Sequence, residues 1–223
     1  MSETLIQPPL TPNQPQPPWT PLKVLKGAVV AISRTNAQQK TVVAFQYNPV
    51  TLTRNLSPVL VTEGAGGSSV RFNATAKQTI DVTITLDATD DGGPQGNGIL
   101  PQLAMLELLI NPSSAALNQY WTSTQGASIE VLPPLAPRTL FVWGPNRVLP
   151  VKLTTINVTE KEFNTNLNPI FAEVKLGMEV YPYNEAGQPE YSYLLTNLQK
   201  LETMSALVPT TGVTIGVDPS GLT

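Results

Sequence analysis

The sequence of 223 residues contains no cysteine and no histidine, and charged residues make up only 13% of it. The absence of cysteine excludes disulfides and thiolate chemistry, and it leaves the redox compartment open. Without histidine the chain lacks the usual general base near neutral pH and the commonest metal ligand. Catalytic arrangements of the Ser-His-Asp or Cys-His type therefore cannot be built.

Long apolar runs and basic clusters are missing as well. No apolar run reaches the roughly 18 to 20 residues of a membrane span, and residues 1–4 lack the basic-then-apolar order of a signal peptide. The net charge of −3 offers no clustered cations for nucleic acid or an anionic membrane. We therefore predict a soluble chain made without a Sec signal, with no nucleic-acid partner and no direct membrane span.

The low charge content is typical of a subunit whose surface is largely covered by neighbours, because charged groups are depleted from the cores of interfaces. A secreted or Thr-rich β protein has the same composition, so composition alone leaves both classes open. The chain is long enough for one sizeable hydrophobic core and short for two full domains.

Seven prolines lie between residues 8 and 21, and they favour an extended, polyproline-like arm. Such an arm is either a solvated tail or a strap on a neighbouring subunit, with Trp19 as its apolar anchor. We predict three regions: residues 1–23 as a Pro-rich extended arm, residues 24–182 as a β domain, and residues 183–223 as a C-terminal helix and tail.

The central region has the patterns of β-strands. Strict apolar–polar alternation over residues 79–87 and 170–181 predicts two half-buried strands. Apolar runs before and after a polar turn predict a first hairpin that Asn48-Pro49 ends, since proline cannot donate to a ladder. The runs of this hairpin and the further predicted strands are residues 28–33, 41–47, 128–132, 139–143 and 148–158, the last with a bulge between Leu153 and Ile156.

Two segments are predicted to be helical. Residues 99–110 are apolar on nearly every side, which favours a buried helix that Asn111-Pro112 stops. A second, amphipathic helix follows the last strand, with an apolar stripe formed by Tyr191, Leu194, Leu195, Leu198 and Leu201. The predicted fold is mainly β: an antiparallel sandwich or barrel with one embedded helix, an N-terminal arm and a C-terminal helix.

Three loops have some features of ligand sites. The stretch that starts at Asp87 begins like a calcium loop, but Gly98 stands where a bidentate Glu is required. The glycine-rich residues 64–69 lack the lysine of a P-loop, and no helix is predicted after them. Residues 92–98 precede a helix but contain no basic side chain. We predict solvated loops at all three places.

Paired carboxylates are the one remaining route to acid–base catalysis, as in glycosidases. The candidates are Asp81, Asp87, Glu173 and Glu179, and each lies on the polar side of an alternating strand, where a solvated or interfacial charge is the ordinary explanation. We therefore predict that the chain is not an enzyme and has no catalytic residue, no metal site and no cofactor.

Two stretches carry a resemblance to a known family. The first is an apolar strand ending in the pattern Phe-x-aromatic-Asn-Pro-x-x-Leu, at residues 45–52. The second runs from Pro134 and Pro137 through residues 140–144 and Phe163 to residues 167–174. Their order resembles that of the tube-type proteins of contractile injection systems, in particular the baseplate subunits of antifeeding-prophage and Photorhabdus-type particles. The resemblance covers about residues 24–182.

The resemblance implies a β domain of the phage tail-tube type that forms a six-fold ring around a channel. It implies a tube initiator that joins the inner tube to the spike hub, with itself, the tube protein, the hub protein and other baseplate or sheath components as partners. Assembly would take place in the bacterial cytoplasm, within a phage-tail-like particle. Alternatives are an inner tube or cap subunit of the same particle, and a carbohydrate-binding or adhesin-like β sandwich.

One departure from the family is clear, because many members end in a peptidoglycan-binding LysM domain. Residues 183–223 show no LysM pattern, so cell-wall binding is not carried over. The C-terminal helix either packs on its own domain or docks on a neighbour. Residues 213–217 are apolar enough to add to the sheet edge of a partner.

Phe45, Tyr47, Asn48 and Pro49 should define the first hairpin and its turn. Phe141, Trp143 and Phe163 are predicted as core or interface aromatics rather than ligand-stacking ones, with the core favoured because each lies beside an alternating strand. The strand at residues 170–181 would be an aggregation hazard at an open edge, which a neighbour in a ring would cover. The structural and interface candidates are Trp19, Phe45, Tyr47, Asn48, Pro49, Trp143, Phe163, Asn168, Pro169, Tyr191, Leu194 and Leu198.

Overall fold

The computed structural model describes residues 24–34, 37–62, 70–89, 96–125 and 132–207. The described residues are mainly β, as predicted. Their strands are β1 (Ala28–Ile32), β2 (Lys40–Ala44), β3 (Leu52–Thr62), β4 (Val70–Asp87), β5 (Arg138–Val142), β6 (Val148–Phe163) and β7 (Pro169–Val180). Their helices are α1 (Leu100–Glu107), α2 (Ser114–Thr124) and α3 (Gln188–Ser205).

Several predictions concern residues outside the described ranges. These are the proline-rich arm with Trp19, the glycine-rich stretch at residues 64–69, most of the loop at residues 90–98, and the β-like stretch at residues 213–217. The predicted strand at residues 128–132 lies outside them too, apart from Leu132, which is not in a strand.

The strands form one antiparallel sheet in the order β2-β1-β5-β6-β7-β4-β3. β7, the longest alternating strand, lies between β6 and β4, so it is an interior strand and needs no neighbouring subunit to cover its edges. The edge strands of this sheet are β2 and β3, and within the described residues their outer edges pair with no further strand.

The sheet curls until the end of β2 meets the end of β4. Just after β2, the Gln46 amide donates to the Asp87 carbonyl at 2.6 Å and accepts from the Asp87 N–H at 2.8 Å. These two bonds reproduce the exchange that a residue pair makes in an antiparallel ladder. Of the predicted alternatives, sandwich or barrel, the described residues therefore form a single curled, barrel-like sheet.

One hydrophobic core fills the inside of this curl. The inward residues of β4 meet those of β7 across the ladder, with Val82 opposite Leu176 and Ile84 opposite Val174. All four of these side chains are buried. Helix α1 closes the core with further buried leucines, and α3 adds one more, Leu194. The alternation in β4 and β7 therefore predicts their buried faces correctly.

Other elements differ from the prediction in their bounds. β6 shows a register shift between Leu153 and Thr155, which confirms the predicted bulge, but the strand continues to Phe163. Helix α1 ends at Glu107, and α2 follows where no helix was predicted. None of the helices in the described ranges is long and apolar enough to cross a membrane.

Candidate assembly interface

Asn48 fixes the point at which the chain enters the sheet. Its side-chain oxygen accepts from the Gly27 N–H at 2.9 Å, and its amide donates to the Leu25 carbonyl at 2.7 Å. Beside it, the Phe45 N–H donates to the Gly27 carbonyl at 2.8 Å. The Asn-Pro motif therefore lies at the open end of the first hairpin, where its side chain ties down the segment before β1.

Three aromatic rings enclose the same segment. Trp143 stacks on Phe141 with centroids 5.9 Å apart and tilts against Phe45 at 6.5 Å. A Cβ at Gly27 would lie 2.8 Å from both the Phe45 and Trp143 rings, so this position requires glycine. Phe45 and Phe141 are buried in the core and Trp143 packs against it.

The prediction that Phe163 is a core aromatic is wrong. Its side chain is 49% exposed at the far end of β6, where the last residues of the strand are all exposed. The phase change at the bulge and the turn that follows remove Phe163 from the inner face. Tyr47 is also partly exposed, and its ring lies near the Lys26 ammonium group.

Replacing Asn48 by alanine is expected to lower the free energy of unfolding by about 1 to 3 kcal/mol, because it leaves two backbone groups without their partner. Asn48→Asp should also destabilise the protein, because a carboxylate still accepts from the Gly27 N–H but places an oxygen against the Leu25 carbonyl in place of a donor. Chemical denaturation followed by tryptophan fluorescence measures both. Wild-type stability in the two variants would contradict the role given to the amide.

The turn between β6 and β7 holds the start of α1. Asn164 and Asn168 both donate through their side-chain amides to the Gly96 carbonyl. The Ile99 N–H then donates to the Pro169 carbonyl at 2.8 Å. The predicted candidates Asn168 and Pro169 therefore lie together, and both anchor the loop that leads into the helix.

The outer half of the β3–β4 hairpin is a two-stranded ribbon. β7 pairs only with residues 79–87 of β4, so residues 70–78 pair with β3 alone. At its end Leu60 lies opposite Phe72, and the next pair on the same face includes Val70. These three side chains are 49%, 78% and 57% exposed. We call Leu60, Val70 and Phe72 the ribbon patch.

Helix α3 packs through only part of its predicted apolar stripe. Leu194 is buried in the core, whereas Tyr191 and Leu198 are 43% and 42% exposed. The buried charge beside Leu194 was not predicted: Glu190 lies 3.2 Å from the Arg138 Nε and 3.5 Å from an Arg34 nitrogen. The last seven described residues, 201–207, are all exposed, so the end of α3 projects beyond the sheet.

Glu190 lacks aligned hydrogen bonds despite its two cationic neighbours. Within the described residues neither of its carboxylate oxygens has a hydrogen-bonding partner, although the Glu190 side chain is 4% exposed. The contacts are therefore ion pairs without hydrogen-bond geometry. They link the first turn of α3 to Arg34 beyond β1 and to Arg138 in β5, and nothing in the apolar pattern of the helix indicates them.

The four carboxylates considered for catalysis lie on the outer face of β4 and β7, and none is directly opposite another. Glu173 binds the Lys161 ammonium at 2.6 Å, and Glu179 lies 3.7 Å from that of Lys77. Hydrogen bonds from the Thr89 side chain and backbone lower the pKa of Asp87. Across the ladder Glu173 and Glu179 face Thr85 and Thr79 rather than an aspartate. Within the described ranges no three acidic side chains are grouped as a metal site.

No protein-family model and no curated protein matches the chain. Similar solved structures include a chain in the tail of an empty gene transfer agent particle refined with C6 symmetry. It has 10% identity and a TM-score of 0.32, over 69% of this chain and 90% of that chain. A chain in the virion of the native particle has 11% identity and a TM-score of 0.26, with the same coverage. Likenesses this weak carry no argument about function.

Proposed function

We propose that the chain is a non-enzymatic structural subunit of a phage-tail-like contractile injection particle. In this role it forms a baseplate ring that initiates the inner tube and joins it to the spike hub. The observation that carries the proposal is the β3–β4 ribbon, where the outer edge of β3 pairs with no strand of the described residues and apolar side chains are exposed at the same place.

A two-stranded ribbon is only marginally stable in water by itself, and three or more strands or a packed face are needed to hold it. Here the ribbon patch is apolar and exposed, and the outer edge of β3 pairs with no strand of the described residues. A second chain laid against the ribbon would bury Leu60, Val70 and Phe72. We therefore place a subunit contact there.

The two sheet edges suit a head-to-tail contact. β2 and β3 end the same sheet, and Gln46 fastens only the segment after β2 to the end of β4, so the β3 side of one subunit can meet the β2 side of the next. Contacts between different surfaces of identical subunits form closed rings when the rotation is right. Pro58 and the register shift between Ser57 and Val59 interrupt the β3 edge, which limits unspecific strand addition.

The outer face of β4 and β7 suits the wall of an aqueous channel. Thr83 and Thr85 lie opposite Lys175 and Glu173 across the ladder, so this face carries polar and charged side chains of both signs. Antiparallel sheets commonly pack one face on the core and leave the other to water. In the ring we propose, this face lines the lumen.

A baseplate subunit, an inner tube subunit and a cap subunit would share this fold and differ in their flanking regions. The proline-rich arm and α3 are the features that favour the baseplate subunit. A carbohydrate-binding module would be expected to group its exposed aromatics. The exposed rings of the described residues instead belong to β4, α2, β6, α3 and two connections, namely Tyr47, Phe72, Trp121, Phe163, Tyr183, Tyr191 and Tyr193. We therefore keep the inner tube and sheath proteins as proposed partners, and assembly in the cytoplasm as the proposed location.

Phe72→Lys is expected to abolish ring formation without unfolding the subunit. Phe72 is 78% exposed, so the folded monomer loses little, whereas a charge in the covered patch would be desolvated without a partner. The chain is produced with its genomic neighbours and examined by native mass spectrometry and electron microscopy. We expect wild-type rings that co-purify with tube, hub and sheath proteins, and a folded variant that does not enter them.

Val50→Lys serves as the matched control, because Val50 is fully exposed in the connection between β2 and β3. This variant should still form rings. A wild-type chain that stays monomeric among its neighbours, or rings that Phe72→Lys leaves intact, would contradict the proposed assembly.

A further inference from the structure

The helical side of the molecule contains a second open surface, a cleft of about 610 Å³. α1, α2, the β1–β2 hairpin and the connection before β5 form its walls. Leu108, Leu132 and Leu135 line it and are 59%, 79% and 78% exposed. The amide side chains of Gln39, Asn111 and Gln119 line it as well, and that of Asn111 already donates to the Glu107 carbonyl at 3.0 Å.

We propose that this cleft binds the proline-rich arm, residues 1–21, of a second copy of the chain. An extended polyproline segment makes no internal hydrogen bonds, so its carbonyl groups are free to accept from amides. Grooves that bind such segments are lined by aromatic rings. The cleft offers the Tyr120 ring, leucines and amide donors, and the arm supplies prolines together with apolar side chains such as Leu10 and Trp19.

Charge supports the match. The only charged side chain in residues 1–21 is Glu3. Among the described residues that line the cleft, Arg34 is the only charged one, and its guanidinium already donates to the Ala136 carbonyl at 2.8 Å and pairs with Glu190. A nearly uncharged segment therefore meets a nearly uncharged surface, and neither partner has to desolvate an unpaired ion.

The position of the arm favours a second copy over the same chain. The described residues begin at Val24, and Asn48 ties this segment to the Ala28 end of β1. The cleft lies at the other end of that hairpin, around Arg34, roughly 20 Å away at 3.3 Å per residue. In a fully polyproline conformation residues 8–21 would span roughly 43 Å, which is enough to reach a neighbouring copy. Binding to the cleft of the same chain would instead need a reversal of direction before Val24.

The absence of cysteine allows a direct test with full-length chains. One set of chains carries a single cysteine in the arm, as Gln7→Cys, Gln14→Cys or Thr20→Cys. The second chain carries Gln119→Cys, at a position on α2 that lines the cleft. After mixing and mild oxidation, at least one arm position should give a disulfide-linked heterodimer, formed at least tenfold faster than with the control.

The control is Leu117→Cys, which lies two residues earlier on α2, is 52% exposed and does not line the cleft. Adding Leu135→Asp to the Gln119→Cys chain should slow cross-linking at least tenfold. Equal rates for the two α2 positions would overturn the cleft as the binding site. Chains with both cysteines that close only within one chain would overturn the second copy as the source of the arm.

The inference rests on the proposed self-assembly, but the two can fail separately. If rings are seen in the electron microscope but no arm-to-cleft disulfide forms, the arm contact is refuted and the proposed ring stands. If the chains cross-link efficiently but never form rings, the arm contact stands and the proposed ring is refuted.

Discussion

Gly98→Ala is expected to lower the free energy of unfolding by about 3 to 5 kcal/mol, which is at the upper end for a single substitution. A Cβ at this position would lie 2.0 Å from the Pro169 carbonyl oxygen and 2.9 Å from its carbon. Both are backbone atoms, so no side-chain rotation relieves the overlap. The same carbonyl accepts the hydrogen bond from Ile99, so any shift also disturbs the start of α1.

Gly144→Ala is the matched control. Gly98 and Gly144 both have positive φ angles, +55° and +72°, but a Cβ at Gly144 meets no atom within 4 Å. The control therefore carries only the cost of a left-handed backbone in an L-residue, about 1 to 2 kcal/mol. Denaturant unfolding measured by circular dichroism compares the two. Similar losses would show that the backbone angle, and not the contact with Pro169, determines the requirement for glycine.

Removal of the Glu190 carboxylate is expected to cost about 3 kcal/mol, because breaking a buried ion pair from one side leaves the remaining charges uncompensated. Two guanidinium groups, those of Arg34 and Arg138, would lose their shared partner in Glu190→Ala. Each arginine side chain is 28% exposed, so water partly screens them and the loss should stay at the lower end of the range. We expect α3 to become sensitive to limited proteolysis.

Two variants bracket this result. Glu202→Ala changes an exposed carboxylate on the same helix and should alter stability by no more than about 0.5 kcal/mol. Glu190→Gln keeps the shape of the side chain and removes its charge, so it should fall between the two. The role of the ion pairs would be refuted if Glu190→Ala were as stable and as protease-resistant as Glu202→Ala.

The sequence predicts a strand well wherever one face of the strand is buried and the other is exposed to solvent. β4 and β7 satisfy this condition between residues 79 and 87 and along residues 169–180, and both were identified from their alternation. β3 was not predicted, because most of its side chains are exposed on either face and Pro58 interrupts it. α2 was missed for a similar reason: it has no buried residue, and its sequence signal is the Ser113 cap alone.

Only those features of the candidate site that depend on neighbouring residues in the sequence could be predicted. The Asn48-Pro49 motif was recognised as the end of a strand, but its bonds to Leu25 and Gly27 bring together residues more than 20 positions apart. Gly98 gave no local signal, since the atom that requires glycine belongs to Pro169. A glutamate in the first turn of a helix is ordinarily exposed to solvent, so the sequence gives no sign that Glu190 is buried. Only the folded sheet brings Arg34 and Arg138 to it.

The closure at Gln46 has a mechanical consequence. Within the described residues, neighbouring strands of the curled sheet are joined by backbone ladders of at least four residue pairs. The hydrogen bonds between the segment after β2 and the end of β4 are instead the two that the Gln46 side chain makes. We expect this seam to be the compliant line of the subunit, because every strand keeps its register when those two bonds break. A load passing through the protein would therefore change its circumference there before it disturbed the rest of the wall.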